Sequence, residues 1–101
     1  MATMTRTSVA GVSFQDIWAA TVGGLGEVRV LSDEEILAEV AHHGGDLVIK
    51  SKDAEVIISV VEDALGGLEL VDQSHLGRRE LTSLRTLAEL LWRRWQELHR
   101  A

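Results

Sequence analysis

Ser51 carries the hydroxyl best placed for chemistry in this chain. It follows the segment Gly44-Gly45-Asp46-Leu47-Val48-Ile49, is flanked by Lys50 and Lys52, and opens an amphipathic stretch. At a helix N-terminus, backbone N–H groups and the helix dipole favour a negative charge, so a phosphate-linked group could be carried there. The plainer use of such a serine is as an N-cap. The two lysines oppose the dipole, at a cost of roughly a few tenths of a kcal/mol that a phosphate would offset. Their plainer reading is two solvated side chains.

Other clusters support less. His42-His43, with Asp46 nearby, have metal-binding side chains. Adjacent helical residues point about 100° apart, however, and no third ligand has suitable spacing. Favourable charge at a helix C-terminus explains the pair better. Glu55 and Glu62 lie two helical turns apart and read as a solvated face rather than an acid–base couple. No serine stands in a G-x-S-x-G context, and no Ser-His-Asp order can be drawn. Gly23-Gly24-Leu25-Gly26 lacks the strand and spacing of a phosphate loop. His75 and His99 are isolated. The expectation is a non-catalytic protein without a metal.

Composition narrows the class further. A chain of 101 residues supports one core. The absence of cysteine removes disulfides, zinc–thiolate sites and thiol nucleophiles. Residues 1–84 carry a net charge of −8 and residues 85–101 a net of +2. An acidic body disfavours nucleic acid and suits basic protein partners, or simply solubility. No apolar run approaches a membrane span, and the first residues lack a signal-peptide pattern. A cytoplasmic monomer is expected.

The elements that must position Ser51 follow from the pattern. Residues 1–12 read as a disordered leader and 13–101 as one helical domain. Phe14–Val22 suggests a short helix capped by Ser13 and broken by Gly23, Gly24 and Gly26, with Glu27–Leu31 merely extended. Ser32 and Glu35 form a capping box, and Gly44-Gly45 ends that helix. From Ser51, the apolar stripe Val56, Ile57, Val60, Val61, Ala64 and Leu65 favours a helix stopped at Gly66-Gly67, although its β-branched residues would also suit a strand. Thr82 or Ser83 can cap a last helix from about Leu84 to His99, with Arg93, Arg94 and Arg100 complementing its dipole. Trp92 and Trp95 are expected to pack against Trp18 or Leu65. The sum is an all-α four-helix bundle with one long connection.

With these elements in place, residues 32–91 resemble the acyl carrier and peptidyl carrier proteins. In that family a serine opens the second helix, and an acid, an apolar or aromatic residue and a glycine follow. Here these fall on Ser51, Glu62, Leu65 and Gly66. Leu70 in a loop, a short third helix around Asp72 to Gly77, and Leu81-Thr82-Ser83-Leu84 opening the fourth continue the match. Lys50 and Lys52 depart from it, since the family usually has Asp before the serine and an apolar residue after.

The resemblance implies a carrier-type bundle with an extra N-terminal segment. It implies 4′-phosphopantetheine on Ser51, holding an acyl or aminoacyl group as a thioester in polyketide, fatty-acid or nonribosomal peptide biosynthesis. Asp53, Glu55, Glu62 and Asp63 would then be exposed acids that meet a phosphopantetheinyl transferase and the acyl- or aminoacyl-transferring enzymes. Lys50 and Lys52 would lie in the same contact. The helix from Ser32 is taken as the first of the bundle, with Phe14–Val22 as an added element. In the alternative, Phe14–Val22 is the first helix and the Ser32 helix belongs to a long connection. A rival reading is a carrier-like interaction module without the arm.

Overall fold

Ser13 and Ser32 open two helices by the same device. Each hydroxyl accepts a backbone N–H three residues on, from Asp16 and Glu35, and each of those carboxylates accepts the serine's own N–H. These reciprocal bonds satisfy donors that a helix start would otherwise leave open. The computed structural model describes residues 11–71, 76–77 and 81–98. Four helices occur among them: α1 (Phe14–Arg29), α2 (Asp33–His42), α3 (Ser51–Ala64) and α4 (Leu84–Leu98). The described residues contain no named strand, only an antiparallel bridge between Val48 and Ser83.

The most consequential correction concerns α1. Gly23, Gly24 and Gly26 do not break it: the helix continues through them to Arg29, and Glu27 and Val28 are helical rather than extended. An added Cβ on Gly24 would stand 3.0 Å from the Ile57 Cα. One on Gly26 would stand 2.6 Å from the Leu31 carbonyl oxygen. The glycines therefore serve close backbone approach, which outweighs their low helix propensity. The helix ends at Val30, held in the left-handed region at φ 56° and ψ 48°.

Helix α1 packs most extensively against α3, and also against α4 and α2, whereas α2 packs chiefly against α1. Phe14–Arg29 is thus a central helix, not an added element, and the Ser32 helix lies within the connection between α1 and α3. The core joins Ile17 and Leu25 of α1, Ile36 of α2, Ile57, Ile58 and Val61 of α3, and Leu84, Leu87 and Leu91 of α4, all almost fully buried.

The buried face of α3 also differs from the expected stripe. Ala54, Ile57, Ile58 and Val61 face inward, while Val56 is 39% exposed and Ala64 is exposed. Consecutive apolar residues at 56–58 and 60–61 leave the phase of a stripe open, and packing against α1 fixes it. Gly66 and Gly67 end α3 with positive φ, and the Gly67 N–H returns to the Glu62 carbonyl at 2.9 Å. Helix α4 is capped by Ser83, not Thr82: the Ser83 hydroxyl accepts the Thr86 N–H at 3.1 Å.

Trp95 of α4 is buried, as expected of that stripe. The ring partner of Trp92 is instead Phe14, edge-on at 6.4 Å, and the Arg85 guanidinium lies 5.3 Å over the Trp18 ring. Arg94 does not serve the helix dipole. It donates to the Leu70 carbonyl at 3.1 Å and pairs with Glu97 at 2.6 Å. Residues 1–10, 72–75, 78–80 and 99–101 lie outside the described residues, so most of the expected leader (1–12) and of the expected third helix falls there; Val12, at the end of that expected leader, packs against the core instead, and Leu76 and Gly77 are not helical.

Candidate functional site

Ser51 is the first residue of α3, and Lys50, in extended conformation, stands at the cap position. A lysine side chain has no acceptor. The first turn accordingly has no side-chain cap. Ser51 is exposed, and its hydroxyl has no hydrogen-bond partner among the described residues. The plain structural use of this serine, capping, is therefore not realised here. The hydroxyl is not committed to the fold.

Asp53 provides the order at this helix start. Its carboxylate accepts the Lys50 N–H at 2.9 Å and meets the Arg29 guanidinium at 3.5 Å. Arg29 also donates to the Val48 carbonyl at 3.1 Å. The end of α1, the segment 47–49 and the first turn of α3 are thereby joined at one point. Asp53 is only 8% exposed, which corrects its expected place among the solvated acids. Burying a carboxylate is tolerable because it is both paired and hydrogen-bonded.

Glu62 is likewise not a free acid. Half-buried, it accepts the Leu70 N–H at 2.7 Å and the Val71 N–H at 3.4 Å, tying α3 to the loop that follows it. Glu55 and Asp63 are exposed as expected. Lys50 and Lys52 are exposed and form no ion pair among the described residues.

The segment leading to Ser51 is fixed from its other side by Asp46. The Asp46 carboxylate accepts from the Ser83 hydroxyl at 2.6 Å, the Arg85 N–H at 2.9 Å and its neighbour Leu47 N–H at 2.7 Å. Partial burial opposes ionisation, but the Ser83 hydroxyl, the two N–H groups and the Arg85 charge outweigh it. Together they hold the carboxyl below its ordinary value of 3.8. The Ile49 N–H to Thr82 carbonyl and Leu84 N–H to Leu47 carbonyl bonds, both 3.0 Å, complete the latch. Leu47 and Ile49 point into the core and Val48 outward, the alternation of a short extended segment.

Sequence reasoning placed Ser51 at the helix start but missed Arg29 and Asp46, whose partners lie 19 and 37 residues away. Asp53 did carry a signal, an acid three residues past the cap position. His43 Nδ1 lies 2.9 Å from the Glu39 carbonyl at the end of α2, in keeping with a role at that helix terminus. Among the described residues no group of three His, Cys, Asp or Glu could hold a metal. No protein-family model matches the chain, and neither the curated proteins nor the solved structures give a significant match.

Proposed function

We propose that this protein is a discrete acyl or peptidyl carrier, modified on Ser51 by 4′-phosphopantetheine and without catalytic activity of its own. The observation that carries this reading is the exposed Ser51 hydroxyl, without a hydrogen-bond partner among the described residues, at the first position of a helix whose cap residue, Lys50, makes no side-chain cap bond. The residues present fit the group. Open N–H groups of a first turn and two exposed lysines suit a phosphodiester. The exposed hydroxyl leaves room for a transferase to reach it. When bound, the arm supplies a thiol that holds acyl or aminoacyl cargo as a thioester, in polyketide, fatty-acid or nonribosomal peptide biosynthesis. The chain itself, free of cysteine, presents the attachment oxygen and fixes the backbone on either side of it.

A phosphopantetheinyl transferase and acyl- or aminoacyl-transferring enzymes are the partners of this reading. Glu55 and Asp63 remain as exposed acids for those contacts. Among the described residues no helix is long and apolar enough to cross a membrane. The reading places the carrier in the cytoplasm as a monomer. Incubation with coenzyme A and a broad-specificity transferase should add about 340 Da, a modification of serine that Ser51→Ala abolishes. No added mass, or an addition that survives the substitution, rejects the proposal.

Lys50 and Lys52, without ion-pair partners among the described residues, favour one rival, an interaction module of similar shape without the arm. A stable complex of the unmodified chain with a biosynthetic enzyme, unaffected by Ser51→Ala, would support it.

A further inference from the structure

We propose that the groove between α1 and α2 binds a small organic cation, a primary ammonium on an apolar stem. This site is independent of any group carried on Ser51.

The groove has a volume of about 280 Å³. It is lined by Gln15, Trp18, Ala19 and Val22 of α1 and by Asp33 and Leu37 of α2. Residues three and four apart share a helix face, so each helix presents one stripe to the groove. Val22, 1% exposed, forms the floor, Trp18 is half-buried, and Leu37 is 44% exposed. Apolar walls with a few polar groups are the make-up of a small-molecule site, and such sites span about 300–1,000 Å³. A stable protein interface takes about 20–30 residues a side, far more than these two stripes supply. The size therefore favours a small ligand that fills the groove.

Asp33 sets the charge of that ligand. It is the first residue of α2, placed by the Ser32 cap. Its Oδ1 stands 3.8 Å from where a Cβ on Gly23 or on Gly26 would be, so the carboxylate lies over bare backbone of α1. It has neither a hydrogen-bond nor an ion-pair partner among the described residues. Glu34 beside it is exposed and likewise unpaired among them. Asp16, next to Gln15, is engaged by the Ser13 N–H. The Arg85 guanidinium of α4 lies 5.3 Å over the Trp18 ring, so a second cation is disfavoured there and the ammonium belongs at Asp33. Gly23 follows Trp18 by five residues, roughly 7 Å along the helix axis. An ammonium at Asp33 with a stem of several carbons over Val22 thus reaches both Trp18 and Leu37.

Titration with n-hexylamine at neutral pH, followed by nuclear magnetic resonance, tests the site. The chain has three tryptophan indole N–H signals, and Trp18→Phe assigns the relevant one. Hexylamine should move the Trp18 indole and the Val22 and Leu37 methyl signals saturably, leaving the buried Trp95 indole in place. n-Hexanol should bind about threefold to fivefold more weakly, the worth of an exposed ion pair, and hexanoate more weakly still. Asp33→Asn should reduce hexylamine to the level of hexanol, and Leu37→Ala should weaken it about fourfold or more. Circular dichroism checks that both variants stay helical; should either unfold, the comparison of the three probes on the wild-type chain decides. Equal binding of the three probes, shifts spread over all indoles without saturation, or undiminished binding by a folded Asp33→Asn overturns the proposal. A lysine-containing peptide that moves Trp18 where hexylamine does not also overturns it, and gives the groove to a protein partner.

Discussion

Arg29 and Asp53 meet at 3.5 Å where the end of α1 crosses the start of α3, and the same carboxylate holds the Lys50 N–H. Removing it leaves the Arg29 guanidinium without its anion and a helix start without its N–H acceptor. Asp53→Ala should lower stability by about 2 kcal/mol, the range of hydrogen bonds to charged groups. Ser51→Ala, two residues away but at a hydroxyl without a partner among the described residues, should change it by less than about 0.5 kcal/mol. Urea unfolding of both variants checks the contrast, and a large loss for Ser51→Ala would show that the hydroxyl serves the fold.

Asp46 predicts a pH dependence with a definite sign. Its folded-state pKa lies below the ordinary 3.8, so the native state binds the proton less readily than the unfolded chain. The contribution is therefore fully present above that ordinary value and is lost as pH falls through the lowered one. Urea midpoints measured from neutral pH into the acid range should show this loss. Asp46→Asn should be less stable near neutral pH, with the gap to wild type closing in acid. A gap that stays constant with pH would show that the Asp46 charge is not what holds the latch.

The glycines of α1 should separate by position. Gly24→Ala and Gly26→Ala force a Cβ against backbone atoms at 3.0 and 2.6 Å. Overpacking of this kind costs about 1–3 kcal/mol, more than the gain in helix propensity. Gly23→Ala meets only the Asp33 carboxylate, at 3.8 Å. It should stabilise the protein by up to about 1 kcal/mol. Thermal melts of the three variants test the pattern, and destabilisation by Gly23→Ala would break it.

Glu62→Ala should release the loop after α3. Two backbone donors, on Leu70 and Val71, lose their acceptor. The expected cost is about 1–3 kcal/mol. Amide exchange at Leu70 and Val71 should accelerate relative to the core of α3. Unchanged exchange at both residues would contradict the clamp.

Local rules exposed much of this fold. The cap at Ser13, the capping box at Ser32, the stop at Gly66-Gly67 and the start of α3 all depend on neighbours within one helical turn or two. What stayed hidden depends on tertiary partners. A helix-interior glycine looks like a breaker until the opposing backbone, here Ile57, is known. Asp53 and Glu62 look like solvated acids because Arg29 and the Leu70–Val71 backbone lie outside the local window. The site divides the same way: the position of Ser51 was legible, and the bonds that hold the chain around it were not.

The close approach of α1 to α3 at Gly24 also governs how the Ser51 hydroxyl can move. Where one helix touches another through bare backbone, no layer of pliable side chains separates them to absorb sliding. Gly24 rests on Ile57 just two turns below Ser51, so α3 has little freedom to shift along or rotate against its neighbour. Any protein that engages this serine meets a rigid pedestal and must bring its own reacting groups to it.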